Sequence, residues 1–185
     1  MPGPMLHILV AKKYNPTAVI DFYIGNLAPD AHGDANIKSI THLRNVPDRE
    51  IALKEYALNA HNEYLKGTSL HLFVDWRWEK TLYSAFIEKE GEGWNAKYNE
   101  EIRKMGSYAF HNTDWACGLW ERMVLCDEYD FVETEYITKE DVKLLVYNQH
   151  KWQRENKLAS SSSFSPTLVN KFVYDTADDY NKWFT

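Results

Sequence analysis

Apolar positions along this chain recur mostly every third or fourth residue, and runs that alternate apolar with polar as a half-buried strand does are scarce. The pattern predicts an all-α chain. Pro4, well placed for a first helical turn, opens a run of Met5, Leu6, Ile8, Leu9 and Val10 that is apolar on nearly all sides and so belongs to a buried helix. Asn15-Pro16-Thr17 ends it. A second short helix carrying Val19, Phe22 and Tyr23 stops at Gly25-Asn26. In the turn Leu27-Ala28-Pro29-Asp30, Pro29 fixes its own φ and holds Ala28 extended, presenting Asp30 from a stiff elbow. Residues 31–37 are small and polar enough for a loop, and Ile40 to Leu43 resumes an apolar pattern.

Pro47-Asp48 reads as the start of a helix whose stripe of Ile51, Leu53, Tyr56, Ala57 and Ala60 continues toward Leu65. Gly67 permits a turn or a close helix contact, after which Thr68 or Ser69 caps a helix with Leu70, Phe73 and Val74 inside, ending near Glu88. Trp94 to Asp130 reads as a long, mostly helical segment, and Asp127 to Glu135 as a connection of no assigned state. Thr138 and Asp141 form a capping box for a helix through Leu144, Leu145 and Trp152. Ser160 to Ser163 reads as a mobile surface loop before Pro166, and a last helix carries Leu168, Val169, Phe172, Val173 and Tyr180.

The 185 residues contain no linker long enough to divide them, so residues 1–185 are read as one domain. A hydrophobic share of 44% with seven Trp and twelve Tyr excludes disorder and predicts a core of large side chains. A formal charge of -6 removes duplex nucleic acid and anionic bilayers as expected partners, since both need a dense basic face. Cys117 and Cys126 match no zinc-ribbon spacing and are expected to be reduced core thiols. The apolar run Met5 to Ala11 is followed, not preceded, by Lys12 and Lys13, the wrong order for a secretion signal; with no run of membrane-spanning length, the expected compartment is the cytoplasm.

Candidate chemistry concentrates on histidine and aspartate. His71 and Asp75 stand four apart and project from one helix face about 5–6 Å apart at Cβ, near enough to share a cation or to hydrogen-bond to each other. His7, inside the first buried run, is either a ligand or a core histidine bonded to the backbone. His111 and Asp114, three apart, form a second possible ligand pair. His32 and Asp34 are expected to be solvated, and His61 and His150 to lie on the surface.

In order, these pieces resemble the zinc-dependent phospholipase C-like family, whose relatives include zinc nucleases acting on single strands. The likeness is carried by His7 in the first helix, the phrase Phe22-Tyr23-Ile24-Gly25-Asn26-Leu27-Ala28-Pro29-Asp30, the pair Thr41-His42, and Gly67 four before His71 with Asp75 four after it. It covers roughly the first half of the chain. The resemblance implies an all-α fold with zinc in a cleft between helices, Asp30, His42, His71 and Asp75 around one ion, and His7 with a bridging Asp75 approaching a second. Two departures stand out. In the secreted lipases a processed N-terminal residue ligates zinc, whereas Met1-Pro2-Gly3 precedes the first helix here; and the family's further His and Glu ligands find no match from Trp76 to Lys89, leaving His111 and Asp114 as substitutes.

Two imidazoles and two carboxylates around Zn²⁺ make a site of zero net charge, in which a water can reach a pKa of about 7. The expectation is therefore a zinc-dependent hydrolase of a small phosphoester, with one or two ions, a metal-activated water as nucleophile and Asp30 as the catalytic carboxylate. The alternative is a non-catalytic helical protein that binds metal or a partner on the same scaffold.

Overall fold

Two glycines set the packing that the rest of the chain follows. In the computed structural model, which describes residues 1–184, α1 spans Pro4–Tyr14, α2 Ile20–Gly25, a 3₁₀ turn Ala28–Asp30, α3 Ala35–Thr41, α4 Arg49–Asn59 and α5 Glu63–Trp78. A π-helical turn, Glu79–Tyr83, carries α5 directly into α6, Ser84–Glu90; then come α7, Trp94–His111, α8, Ala116–Val124, α9, Lys139–Glu155, and α10, Pro166–Asn181. None of the described residues forms a strand. A Cβ on Gly25 would lie 2.0 Å from the Tyr64 carbonyl oxygen, and one on Gly67 2.0 Å from that of Phe22, so α2 and α5 touch backbone to backbone. The contact is locked by polar side chains. Asn26 Nδ2 donates to the Gly67 carbonyl at 3.1 Å, and Thr68 Oγ1 donates to that of Gly25 at 3.1 Å.

The central helix is α5, packed by α1, α2, α4 and α10. Its buried Leu70, Phe73, Val74 and Trp78 meet a core to which α1 contributes Met5, Leu6, Ile8, Val10 and Ala11, consistent with a helix apolar on every side. The domain is a single all-helical unit, and among the described residues no helix is long and apolar enough to cross a membrane.

Several local expectations are corrected. The helix bearing His71 begins at Glu63 and not near Thr68 or Ser69, because the chain is extended at Ala60 and Asn62 caps the new helix by accepting the Leu65 N–H at 2.8 Å. Thr68 and Ser69 are interior residues that tie α5 to α2 and to the Tyr180 hydroxyl of α10. The segment 31–37 already enters α3 at Ala35, since the Asp34 carboxylate caps it by accepting from Asn36 and Ile37. The segment from Trp94 is broken after His111 and its helical part ends at Val124. The capping box at Thr138 and Asp141 is present as expected.

The serine run is not a free loop. Glu101, on α7, accepts from Ser161 Oγ at 2.7 Å, Ser162 Oγ at 3.1 Å and the Ser163 N–H at 2.8 Å, pinning the segment to the body. Burial pushes this carboxyl up, but the bonds from Ser161, Ser163, Lys104 and Ser162 outweigh it and bring its pKa to about 2. A folded pKa below the unfolded value stabilises the fold above the unfolded pKa, and that stability is lost as pH falls toward 2. Glu101→Gln is therefore expected to cost about 2 kcal/mol of unfolding free energy at neutral pH and little near pH 2, measured by urea unfolding across that range. Equal costs at both ends would show that the ionised carboxylate is not what holds the serines.

Candidate metal centre

Five side chains from four separated segments meet beside the α2–α5 contact. α1 supplies His7, the 3₁₀ turn Asp30, the C-terminal end of α3 His42, and one face of α5 His71 and Asp75. His7, His42, His71 and Asp75 have no solvent exposure, while the Asp30 side chain keeps 11%.

Hydrogen bonds at the outer ring nitrogens aim the inner ones. His71 Nδ1 lies 2.8 Å from the Asn26 carbonyl oxygen, which can only accept, so Nδ1 carries the proton and Nε2 presents a lone pair to the cluster. His42 Nδ1 lies 3.0 Å from Thr41 Oγ1, whose own hydroxyl hydrogen can go to the carbonyl of Pro29 or Lys38, which leaves His42 Nε2 facing inward as well. The two Nε2 atoms are 3.2 Å apart, a contact that needs either a proton on one of them or a cation between them. The His7 ring lies flat on that of His71, with centroids 3.9 Å apart and planes 7° from parallel. Both nitrogens of His7 and Oδ1 of Asp75 are enclosed with no hydrogen-bond partner among the described residues.

The separations decide what such an arrangement suits. His7 Nε2 to Asp75 Oδ1 and His42 Nε2 to Asp75 Oδ2 are both 3.4 Å, and His42 Nε2 to Asp30 Oδ1 is 3.6 Å. These are long for charge-assisted hydrogen bonds, which run nearer 2.8 Å. Tetrahedral zinc with bonds of about 2.0–2.1 Å has ligand atoms about 3.3–3.4 Å apart, the spacing observed here. Ligand atoms of His42, His71 and Asp75, and separately of His7, Asp30 and His71, lie within 4.8 Å of one another. The donor set, imidazole nitrogen with carboxylate oxygen, fits zinc.

Burial and neighbouring charges set the protonation states within the cluster. Burial, with His7 stacked alongside, lowers the His71 pKa to about 3, so its imidazole is neutral and available at neutral pH. For Asp75 burial acts upward, but the facing His7 and His71 act more strongly and bring it to about 2. Asp30 is likewise raised by burial yet held well below the usual carboxylate range by His42, His71 and Lys38. Both carboxylates remain ionised.

Four further charged residues that sequence reasoning passed over surround the site. Lys38 Nζ pairs with Asp30 Oδ1 at 3.0 Å, and the Arg44 guanidinium reaches Asp75 Oδ2 at 3.2 Å. Glu79 holds Arg44 and also pairs with Arg49, whose Nε donates to the His42 carbonyl oxygen at 3.2 Å. Arg44 is turned back toward the cluster by a local reversal: Leu43 has φ of 52°, and the Arg44 N–H bonds the Ser39 carbonyl at 2.8 Å, closing the end of α3 in a left-handed cap. A bulky residue there is strained, which is typical of functional segments. Glu79 could have been found, since it continues the line of His71 and Asp75 by one more turn, inside the stretch where no further match was expected.

His111 and Asp114 are not gathered with the five. His111 closes α7 with its ring edge-on to Phe110 at 5.2 Å, and neither residue belongs to any group of ligand atoms close enough to share an ion among the described residues. His32 and Asp34 serve α3, the Asp34 N–H bonding His32 Nδ1 at 3.1 Å, and His61 is exposed. Comparison with protein-family models, curated proteins and solved structures finds no match to this chain.

Proposed function

We propose that the five-residue cluster holds zinc and that the protein is a zinc-dependent hydrolase of a phosphoester. The observation that carries the reading is the convergence of three imidazoles and two carboxylates at tetrahedral-edge separations, with His7 and one oxygen of Asp75 buried and unsatisfied. A buried polar atom left without a partner costs about 1–3 kcal/mol, a penalty that a bound cation removes. Zinc held there supplies Lewis-acid polarisation of a phosphoryl oxygen and a water whose pKa falls to about 7.

The chain's own residues supply the rest. Asp30, the one ligand candidate that reaches solvent, is placed to orient the attacking water and to take its proton as the new P–O bond forms and the ester alkoxide leaves. Its depressed pKa makes it a weak base, so orientation is its larger contribution. Lys38 and Arg44, with side chains 26% and 30% exposed beside Asp30 and Asp75, are the cations available to phosphoryl oxygens. Asn26 and Thr41 fix the imidazole tautomers.

A screen of generic phosphodiesters and monoesters with zinc-loaded protein tests the reading. Asp30→Asn is expected to keep part of its zinc, because an amide oxygen still ligates, while losing hydrolysis by roughly 10²-fold or more. Equal rates in wild type and Asp30→Asn at equal zinc content would remove Asp30 from the chemistry. The complete burial of four of the five residues favours a second reading, a closed site that holds zinc for structure alone on a non-catalytic scaffold. That reading predicts zinc-dependent stability with no phosphoester turned over.

A further inference from the structure

Away from the five-residue cluster, Cys117, Glu121 and His150 each place a ligand atom within 4.8 Å of the others. We propose that these three residues form a second, independent site for a zinc-type divalent ion, clasped between α8 and α9. Cys117 and Glu121 stand one turn apart on α8, with Cys117 Sγ 3.5 Å from Glu121 Oε1, and His150 approaches from α9, which packs along α8. This part of the molecule departs from the sequence expectation at both ends. Cys117 is exposed, not a core thiol, and His150 is 8% exposed, not a surface residue.

The histidine is the observation that points to a ligand. Its Nε2 is enclosed with no hydrogen-bond partner among the described residues, and a buried imidazole without a partner is a cost that the packing alone does not relieve. The donor set selects the metal class. A thiolate, an imidazole and a carboxylate suit zinc or a similar transition ion and not calcium or magnesium, which prefer oxygen. Binding is a simple exchange: the Cys117 S–H bond breaks, the sulfur–metal bond forms and the proton leaves to solvent, with no change of oxidation state. Thiolate and carboxylate then carry two negative charges against the ion's two positive ones, and Arg154, one turn beyond His150, adds a positive charge that acts on both Cys117 and His150. Three protein ligands leave a fourth position open, and exposed Cys117 and Glu121 give the ion a route in and out, so the site is exchangeable.

Cobalt(II) titration of the full chain separates this site from the first, which contains no sulfur. A thiolate-to-cobalt charge-transfer band in the near ultraviolet is expected to appear and saturate at one equivalent per band-forming site. It should vanish in Cys117→Ser, remain in Cys126→Ser and in His71→Ala, and require at least about tenfold more cobalt in His150→Ala, since even outer-sphere partners of a metal cost 10–100-fold when removed. Cys117 is exposed, so its serine variant should fold, which circular dichroism verifies. No thiolate band in wild type, or a band unchanged in Cys117→Ser, would overturn the proposal.

Discussion

Gly67→Ala is expected to destabilise the protein by about 3 kcal/mol or more, at the upper end of what overpacking costs. The added methyl would sit 2.0 Å from the Phe22 carbonyl oxygen and 2.8 Å from the Asn26 nitrogen, both backbone atoms that cannot swing aside. Relief requires α2 to move off α5. That movement would also carry away the Asn26 carbonyl that fixes the His71 tautomer and the Asn26 side chain that bonds Gly67, so zinc affinity should fall with stability. Gly118→Ala is the control: its Cβ meets nothing within 4 Å, and a helical alanine gains up to about 1 kcal/mol over glycine. Urea unfolding of the two variants reads the difference directly. A cost below about 1 kcal/mol for Gly67→Ala would mean that the close α2–α5 approach does not set the packing.

The second large effect concerns zinc itself. An ion that binds only the folded chain stabilises it by about 4 kcal/mol when present at a thousand times its dissociation constant. For a chain of this length that corresponds to a melting temperature higher by roughly 8–16 °C. In the Cys117→Ser background, which removes the second proposed site, zinc should produce a rise of this size, and His71→Ala or Asp75→Ala should abolish it. The two variants remove different things. His71→Ala deletes the ring on which His7 stacks and leaves the Asn26 carbonyl without its donor; Asp75→Ala frees Arg44 to rest on Glu79 alone. Loss of the zinc-dependent rise in both, measured by calorimetry with and without zinc, is the expected result. A rise of wild-type size in either would place the stabilising ion elsewhere.

What the sequence disclosed follows from the range over which each feature is decided. The helical spacing of apolar residues, the proline at the start of α1 and the capping box at Thr138 are local, and they appear where the pattern puts them. So does the shared face of His71 and Asp75, which one helix settles by itself. The α4–α5 break carries no Gly or Pro signal at Ala60 or Asn62, and the apolar stripe reads as continuous unless Asn62 is recognised as a cap. His150 and Cys117 were misplaced because burial of one and exposure of the other depend on how α8 lies on α9. Arg44 could not be foreseen as a site residue, since its direction is set by the left-handed Leu43, a conformation that leucine rarely adopts. The gathering of His7, Asp30 and His42 against α5 is tertiary. The sequence order suggested it through a family resemblance, and no local rule would have done so.

The central claim, that the buried histidines and aspartates are zinc ligands, is tested most directly by anomalous diffraction at the zinc edge on crystals of the full chain grown with zinc. An anomalous peak is expected about 2.0–2.2 Å from His42 Nε2, His71 Nε2 and an Asp75 oxygen. Ordered crystals with no zinc at this cluster, whatever the occupancy of the Cys117 site, while His7 and Asp75 keep their present positions, would contradict it.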